Sequence, residues 1–130
     1  MIASSRHIAI LDDDHSVRTA ISRLLKTAGM DVVSYASSMG LLNSIEAEGF
    51  DCVVLDLQMP GMTGMDVLSY LIHANIRTPV VIITAHDEIG SPAACLAAGA
   101  SAYLRKPLDA DELIRAIGTA IQSVETTEKN

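Results

Sequence analysis

The sequence predicts a doubly wound α/β domain built on one five-stranded parallel sheet, with helices on both faces. Three observations predict it. Short apolar runs alternate five times with segments of helical period. The runs Cys52–Leu55 and Pro79–Ile83 are apolar at nearly every position, as strands covered on both faces are. The chain is 49% hydrophobic but only 3% aromatic, so Val, Ile, Leu, Met and Ala must fill the core. Its 130 residues suit one domain, large enough to bury a core of its own.

The first strand, from His7 to Leu11, stops at the triple aspartate Asp12-Asp13-Asp14. Val17, Ile21, Leu24, Leu25 and Ala28 then recur at helical spacing, and Gly29 ends the pattern as a C-cap glycine would. A second strand over Asp31–Tyr35 leads to a helix around Leu41, Leu42 and Ile45, closed near Gly49. The third strand ends at Asp56, followed by the loop Gln58-Met-Pro-Gly-Met-Thr-Gly64 and a helix marked by Val67, Leu68, Leu71 and Ile72. The fourth ends at Thr84. Ser91-Pro92 then supplies an N-cap and first-turn pair for a short helix to Ala98. Ala102–Leu104 is the fifth strand, ending at Lys106-Pro107; the last helix carries Leu113, Ile114, Ile117 and Ile121 before the polar stretch Glu125–Asn130.

Right-handed crossovers bring the C-terminal ends of parallel strands to one edge of the sheet, where such folds bind ligands. Strand one delivers Asp12 and Asp13 there, strand three Asp56, strand four Thr84 and strand five Lys106. Three close carboxylates repel one another and must take up protons or recruit a cation. Mg²⁺ suits them, since it prefers oxygen ligands and is commonly held by few carboxylates together with a phosphate. An aspartate can attack phosphorus to form an acyl phosphate. The transferred oxygens then need an ammonium and a hydroxyl donor, which Lys106 and Thr84 could supply.

These residues carry a resemblance. Ile10-Leu-Asp-Asp13, Val54-Leu-Asp-Leu-Gln-Met-Pro-Gly61, Ile83-Thr-Ala85 and Lys106-Pro107, in this order and spacing, make the chain resemble the receiver domains of two-component response regulators from about His7 to Ile121. The resemblance implies a flavodoxin-like sheet of strand order 2-1-3-4-5, a receiver domain over residues 5–124 and a polar C-terminal tail over 125–130. It implies phosphorylation on Asp56 by a sensor histidine kinase or phosphotransfer protein. Mg²⁺ would be held by Asp12, Asp13, Asp56 and the backbone carbonyl of Gln58, with Thr84 and Lys106 catalytic. Thr84 and Tyr103 match the family's switch pair, and Lys106-Pro107 falls where the family often has a cis peptide. His86 and Gln58 sit where the family tunes phosphoryl lifetime. Thr84-Ala-His-Asp87 and the short fourth helix resemble receivers that precede a helix-turn-helix DNA-binding domain. No such domain lies within these residues, and a single-domain receiver fits equally.

Plainer roles compete at some positions. Asp14 reads as a helix N-cap, Tyr103 as core with a wet tip, His86 as an exposed loop residue and Cys95 as packing. A haloacid-dehalogenase-type phosphohydrolase also uses an aspartyl phosphate, and Asp12-x-Asp14 superficially matches its opening motif. Ser16 and Val17 stand where that motif has glycine and threonine, and Asp56 would lose its role. A phosphate-independent interaction module usually lacks an acid or the lysine, and none is missing here.

The formal charge of −7 disfavours nucleic-acid binding by this chain and contact with anionic membranes. Cys52 and Cys95 stand apart with no CxxC spacing, which fits buried thiols in a reducing cytoplasm. No apolar run has the length of a membrane span. Ala93–Ala98 carries no charge on any face, which fits either a docking surface for a partner or phosphorylation-dependent homodimer, or an alanine-rich exposed helix with no such role.

Overall fold

The computed structural model describes residues 6–85 and 91–129, with side chains at the C-terminal end described through Val124. The elements are β1 (His7–Leu11), α1 (His15–Thr27), β2 (Asp31–Tyr35), α2 (Ser38–Glu48), β3 (Cys52–Asp56), α3 (Gly64–His73), β4 (Val80–Thr84), α4 (Pro92–Ala97), β5 (Ala102–Arg105) and α5 (Ala110–Lys129). All pairings are parallel and the strand order is β2-β1-β3-β4-β5, the fold class expected.

The two-residue period of a strand sends alternate side chains to opposite faces, so the continuous apolar runs feed two cores at once. Ile8, Ile10, Cys52, Val54, Val81 and Ile83 pack against Ile21 and Leu25 of α1 and Leu113, Ile117 and Ile121 of α5. Ala9, Leu11, Val53, Leu55, Val80 and Ile82 pack against Leu41 and Ile45 of α2, Val67, Leu68 and Leu71 of α3, and Cys95 of α4. Both cysteines are free and buried.

Local chemistry ends the helices where composition suggests. The Asp14 carboxylate accepts hydrogen bonds from the Ser16 and Val17 amides, which makes it the N-cap of α1. Thr63 and Asp66 close a reciprocal capping box on α3, and Ser91 caps α4. Gly49, at φ 66°, ends α2 in the left-handed conformation that glycine adopts without strain. Ala28 is the C-cap of α1, and Gly29 follows at φ 88° and closes the helix as the expected glycine, its amide donating to the Lys26 carbonyl and that of Met30 to the Leu25 carbonyl.

Ile72, one of the four residues that mark α3 in the sequence, lies in that helix but is 49% exposed. The 3.6-residue period carries it past the edge of the stripe formed by Val67, Leu68 and Leu71. The polar stretch from residue 125, read from the sequence as a tail beyond the last helix, is instead helical through Lys129. Once Ile117, Ala120 and Ile121 anchor α5, each added helical residue costs little. No helix among the described residues is long and apolar enough to cross a membrane.

Candidate functional site

At the C-terminal edge of the sheet, β1, β3, β4 and β5 lead into Asp12, Asp56, Thr84 and Lys106, whereas β2 ends at Tyr35 and Ala36 with no comparable polar group. The Asp12 amide donates to the Tyr35 carbonyl (3.2 Å), and the Leu57 amide to the Ile83 carbonyl (3.2 Å). The Lys106 amide donates to the Thr84 carbonyl (2.8 Å). These bonds tie the end of β1 to β2 and the ends of β3, β4 and β5 to one another, and the parallel pairing of β1 with β3 joins the two groups into one rim. A cleft of about 290 Å³ opens on it, lined by Asp12, Asp13, Asp56, Gln58, Met59 and Lys106 among others.

Asp12 and Asp56 are buried and Asp13 is exposed, yet one carboxylate oxygen from each lies within 4.8 Å of the others. Lys106 reaches in from the end of β5. Its Nζ donates to Asp12 Oδ2 at 2.9 Å and stands 3.6 Å from Asp56 Oδ1. The Asp14 amide donates to Asp12 Oδ1 (2.9 Å) and the Gln58 amide to Asp56 Oδ1 (3.3 Å). Asp12 therefore has a short hydrogen bond to each carboxylate oxygen, whereas Asp56 has one long hydrogen bond and a more distant ammonium.

The electrostatics follow. Burial, then the charge of Asp12, pushes the Asp56 carboxyl up to about 6, against the opposing pull of Lys106 and the Gln58 amide. Burial alone would lower the Lys106 ammonium, but its hydrogen bond to Asp12 and the charges of Asp56 and Asp12 leave it above the ordinary lysine value. One ammonium among three carboxylates leaves an excess of negative charge, and the donors are all hard oxygens. That set fits a small divalent cation.

Comparison with known proteins agrees with this geometry. The family model described as the response regulator receiver domain matches residues 8–118. The chain belongs to that family. Among curated relatives, this receiver is 32% identical to Nodulation protein W of Bradyrhizobium diazoefficiens over 92% of its own length and 53% of the relative's. It is 34% identical to the response regulator protein TodT of Pseudomonas putida, over 88% of its length and 51% of the relative's. The chain thus spans about half the length of these relatives. A CheY-like response regulator receiver domain protein from Methanospirillum hungatei superposes with a TM-score of 0.87 at 26% identity, covering 95% of this chain and 99% of that one.

Asp12, Asp13, Asp56, Gln58 and Lys106, singled out from the receiver motif, all line the one cleft. Thr84 is fully buried at the end of β4 and is not among the residues lining it. Tyr103 sits half-buried beside Ile82 in the sheet register and packs on the α2–α3–α4 side of the core. The Lys106–Pro107 peptide is cis. His86 lies outside the described residues. Asp14, whose carboxylate is committed to the α1 amides, is not free to act as the second aspartate of a dehalogenase-type motif.

Three contributors escaped sequence reasoning. Arg18 donates to the Asp12 carbonyl oxygen at 2.8 Å and so braces the turn after β1 from one helical turn away. Met59 lines the cleft although its residue type carries no chemistry. Gly64 lets the start of α3 lie against the end of β3: a Cβ there would collide with the Asp56 carbonyl oxygen and meet Leu57 Cα at 2.7 Å. The glycine was visible in the loop, but a contact made through the absence of a side chain leaves no pattern to read.

Proposed function

We propose that this receiver accepts one phosphoryl group on Asp56 from a sensor histidine kinase or phosphotransfer protein in the cytoplasm, and that residues 5–124 suffice for this. The observation that carries the reading is the unequal treatment of the two buried carboxylates. Asp12 is held by Lys106 and the Asp14 amide, while Asp56 is left with the weaker contacts at the bottom of the same cleft. An oxygen of Asp56 attacks the donor phosphorus. The phosphorus–nitrogen bond of the phosphohistidine breaks, and its electron pair stays on the imidazole, which takes up a proton.

Asp12, Asp13, Asp56 and the Gln58 carbonyl would hold Mg²⁺, which when bound offsets the negative charge gathered on the carboxylates and the phosphoryl oxygens. Lys106 is poised to exchange part of its bond with Asp12 for a phosphoryl oxygen. The Thr84 hydroxyl donates to another oxygen, and Tyr103, beside it on the same side of the sheet, follows the displacement. The new contacts favour one of two arrangements of this edge, and a partner that binds that arrangement more tightly reads the signal. The uncharged α4, with Leu96 half exposed, is the surface on which a second copy would dock.

The test is intact-mass spectrometry after incubation with Mg²⁺ and acetyl phosphate. One added phosphoryl group is expected in the wild type and none in Asp56→Asn or in the presence of a chelator. An adduct of equal yield in Asp56→Asn would refute the assignment. Ala94→Glu should weaken any phosphorylation-induced dimer in sedimentation velocity; unchanged association would remove α4 from the interface.

A further inference from the structure

The largest hollow described is not the acidic cleft. It lies on the other side of β1, between α1 and the edge strand β2, with a volume of about 510 Å³. Its lining includes Arg18, Arg23 and Lys26, three of the chain's nine Lys and Arg residues, and the hydroxyl-bearing Thr19, Ser22 and Ser34; it contains no carboxylate. In a chain of net charge −7 this is an anomaly. Acids outnumber bases sixteen to nine, so surface cations should find carboxylate partners readily. Among the described residues, none of these three forms a salt bridge: the ion pairs described belong to His7 and Lys106.

The arrangement is also partly fixed in advance. Thr19, Ser22, Arg23 and Lys26 recur at three- and four-residue intervals, the spacing that lines side chains along one face of a helix. Arg18 is held by the Asp12 carbonyl oxygen at 2.8 Å, with His15 Nδ1 3.4 Å from its other terminal nitrogen, so its guanidinium is positioned before anything binds. Planar guanidinium forks, an ammonium and hydroxyl donors are the groups that recognise phosphate oxygens. The hollow is of a size that holds a small molecule rather than a single ion.

We propose that the α1–β2 hollow binds a soluble phosphate-bearing small molecule, of the polyphosphate or nucleotide class. Arg23 and Lys26 supply the mobile cationic contacts, Arg18 the fixed one, and Ser22 and Ser34 the neutral donors. Because Arg18 also braces the turn that carries Asp12, an occupant that engages its guanidinium touches the phosphoacceptor cleft through one residue.

The test uses inorganic tripolyphosphate with the full chain in a metal chelator, followed by calorimetry and by amide chemical shifts. Saturable binding with one site is expected, with the largest shifts in α1 and at Ser34. Affinity should fall on raising the ionic strength, because partly exposed charges are screened. Arg23→Gln with Lys26→Gln, both exposed and outside the acidic cleft, should weaken binding by at least about tenfold, the scale of a lost charged hydrogen bond. Unperturbed spectra at millimolar ligand, or equal affinity in the double variant with its fold intact by circular dichroism, would overturn the proposal.

Discussion

Replacing Asp56 with asparagine should make the metal-free protein more stable, and by an amount that depends on pH. The Asp56 carboxyl is raised from 3.8 to about 6 in the fold, first by burial and then by Asp12. The folded state therefore holds a proton that the unfolded state has released between about pH 4 and about pH 6, and stability falls as pH rises through that window. A shift of about two pH units at 1.36 kcal/mol each corresponds to about 3 kcal/mol. The side chain is only 4% exposed, so solvent screening takes little from this. Asparagine removes the charge and keeps an oxygen that can accept from the Gln58 amide. The difference between variant and wild type should be near zero at about pH 4 and should rise to about 3 kcal/mol by about pH 7. For a urea slope of about 2 kcal/mol per molar, that moves the midpoint by about 1.5 M. The assay is urea unfolding in a chelator at several pH values; Mg²⁺ should then stabilise the wild type more than the variant. A difference that is flat across pH, or a less stable asparagine variant at neutral pH, would refute the account of Asp56 as a carboxylate held at a cost.

Lys106→Met should lower stability by about 3 kcal/mol in a chelator, because Asp12 is left fully buried without its cation; urea midpoints check this, and Mg²⁺ should restore part of the loss by supplying another positive charge. Gly64→Ala should cost about 1–3 kcal/mol and slow phosphorylation by acetyl phosphate, since its Cβ meets backbone of Asp56 and Leu57 that cannot rotate away; wild-type rates by mass spectrometry would argue that α3 shifts freely. Burial pushes the Cys52 thiol up to about 12, so at about pH 8 it should resist a disulfide reagent in the native state and react fully in guanidinium; rapid native labelling would show that the β3 core opens.

Much of this molecule was legible in its sequence because its strands are short, apolar and sharply ended. A run such as Cys52–Leu55 is readable since both of its faces are covered, and the first polar residue after it has to be Asp56 at the rim. The Asp14 and Ser91 caps were readable for the same local reason: each bonds amides within its own helix turn. What stayed hidden are contacts between residues distant in the chain or made through a missing atom. The bond of Lys106 to Asp12 rather than to Asp56 depends on fractions of an ångström at the strand ends. The close approach of Gly64 and the exposure of Ile72 depend on how α3 lies on the sheet. The hollow beside α1 combines helix residues with Ser34 from another element, and no single stretch of sequence shows the two together.

The alternation of side chains along β1, β3 and β4 has one further effect. Because each side chain belongs to one core or the other, the sheet backbone acts as a partition with separate rooms on either side. Thr84 continues the parity of Val80 and Ile82, and Tyr103 lies in that same room with α2, α3 and α4. A rearrangement that starts at the Thr84 side chain is then felt first on that side, while α1 and α5 keep their packing on the opposite wall. Core substitutions made in different rooms should behave as independent perturbations, and those within one room should not. A surface that receives a signal and a surface that passes it on could thus be altered one at a time, without either repacking the other.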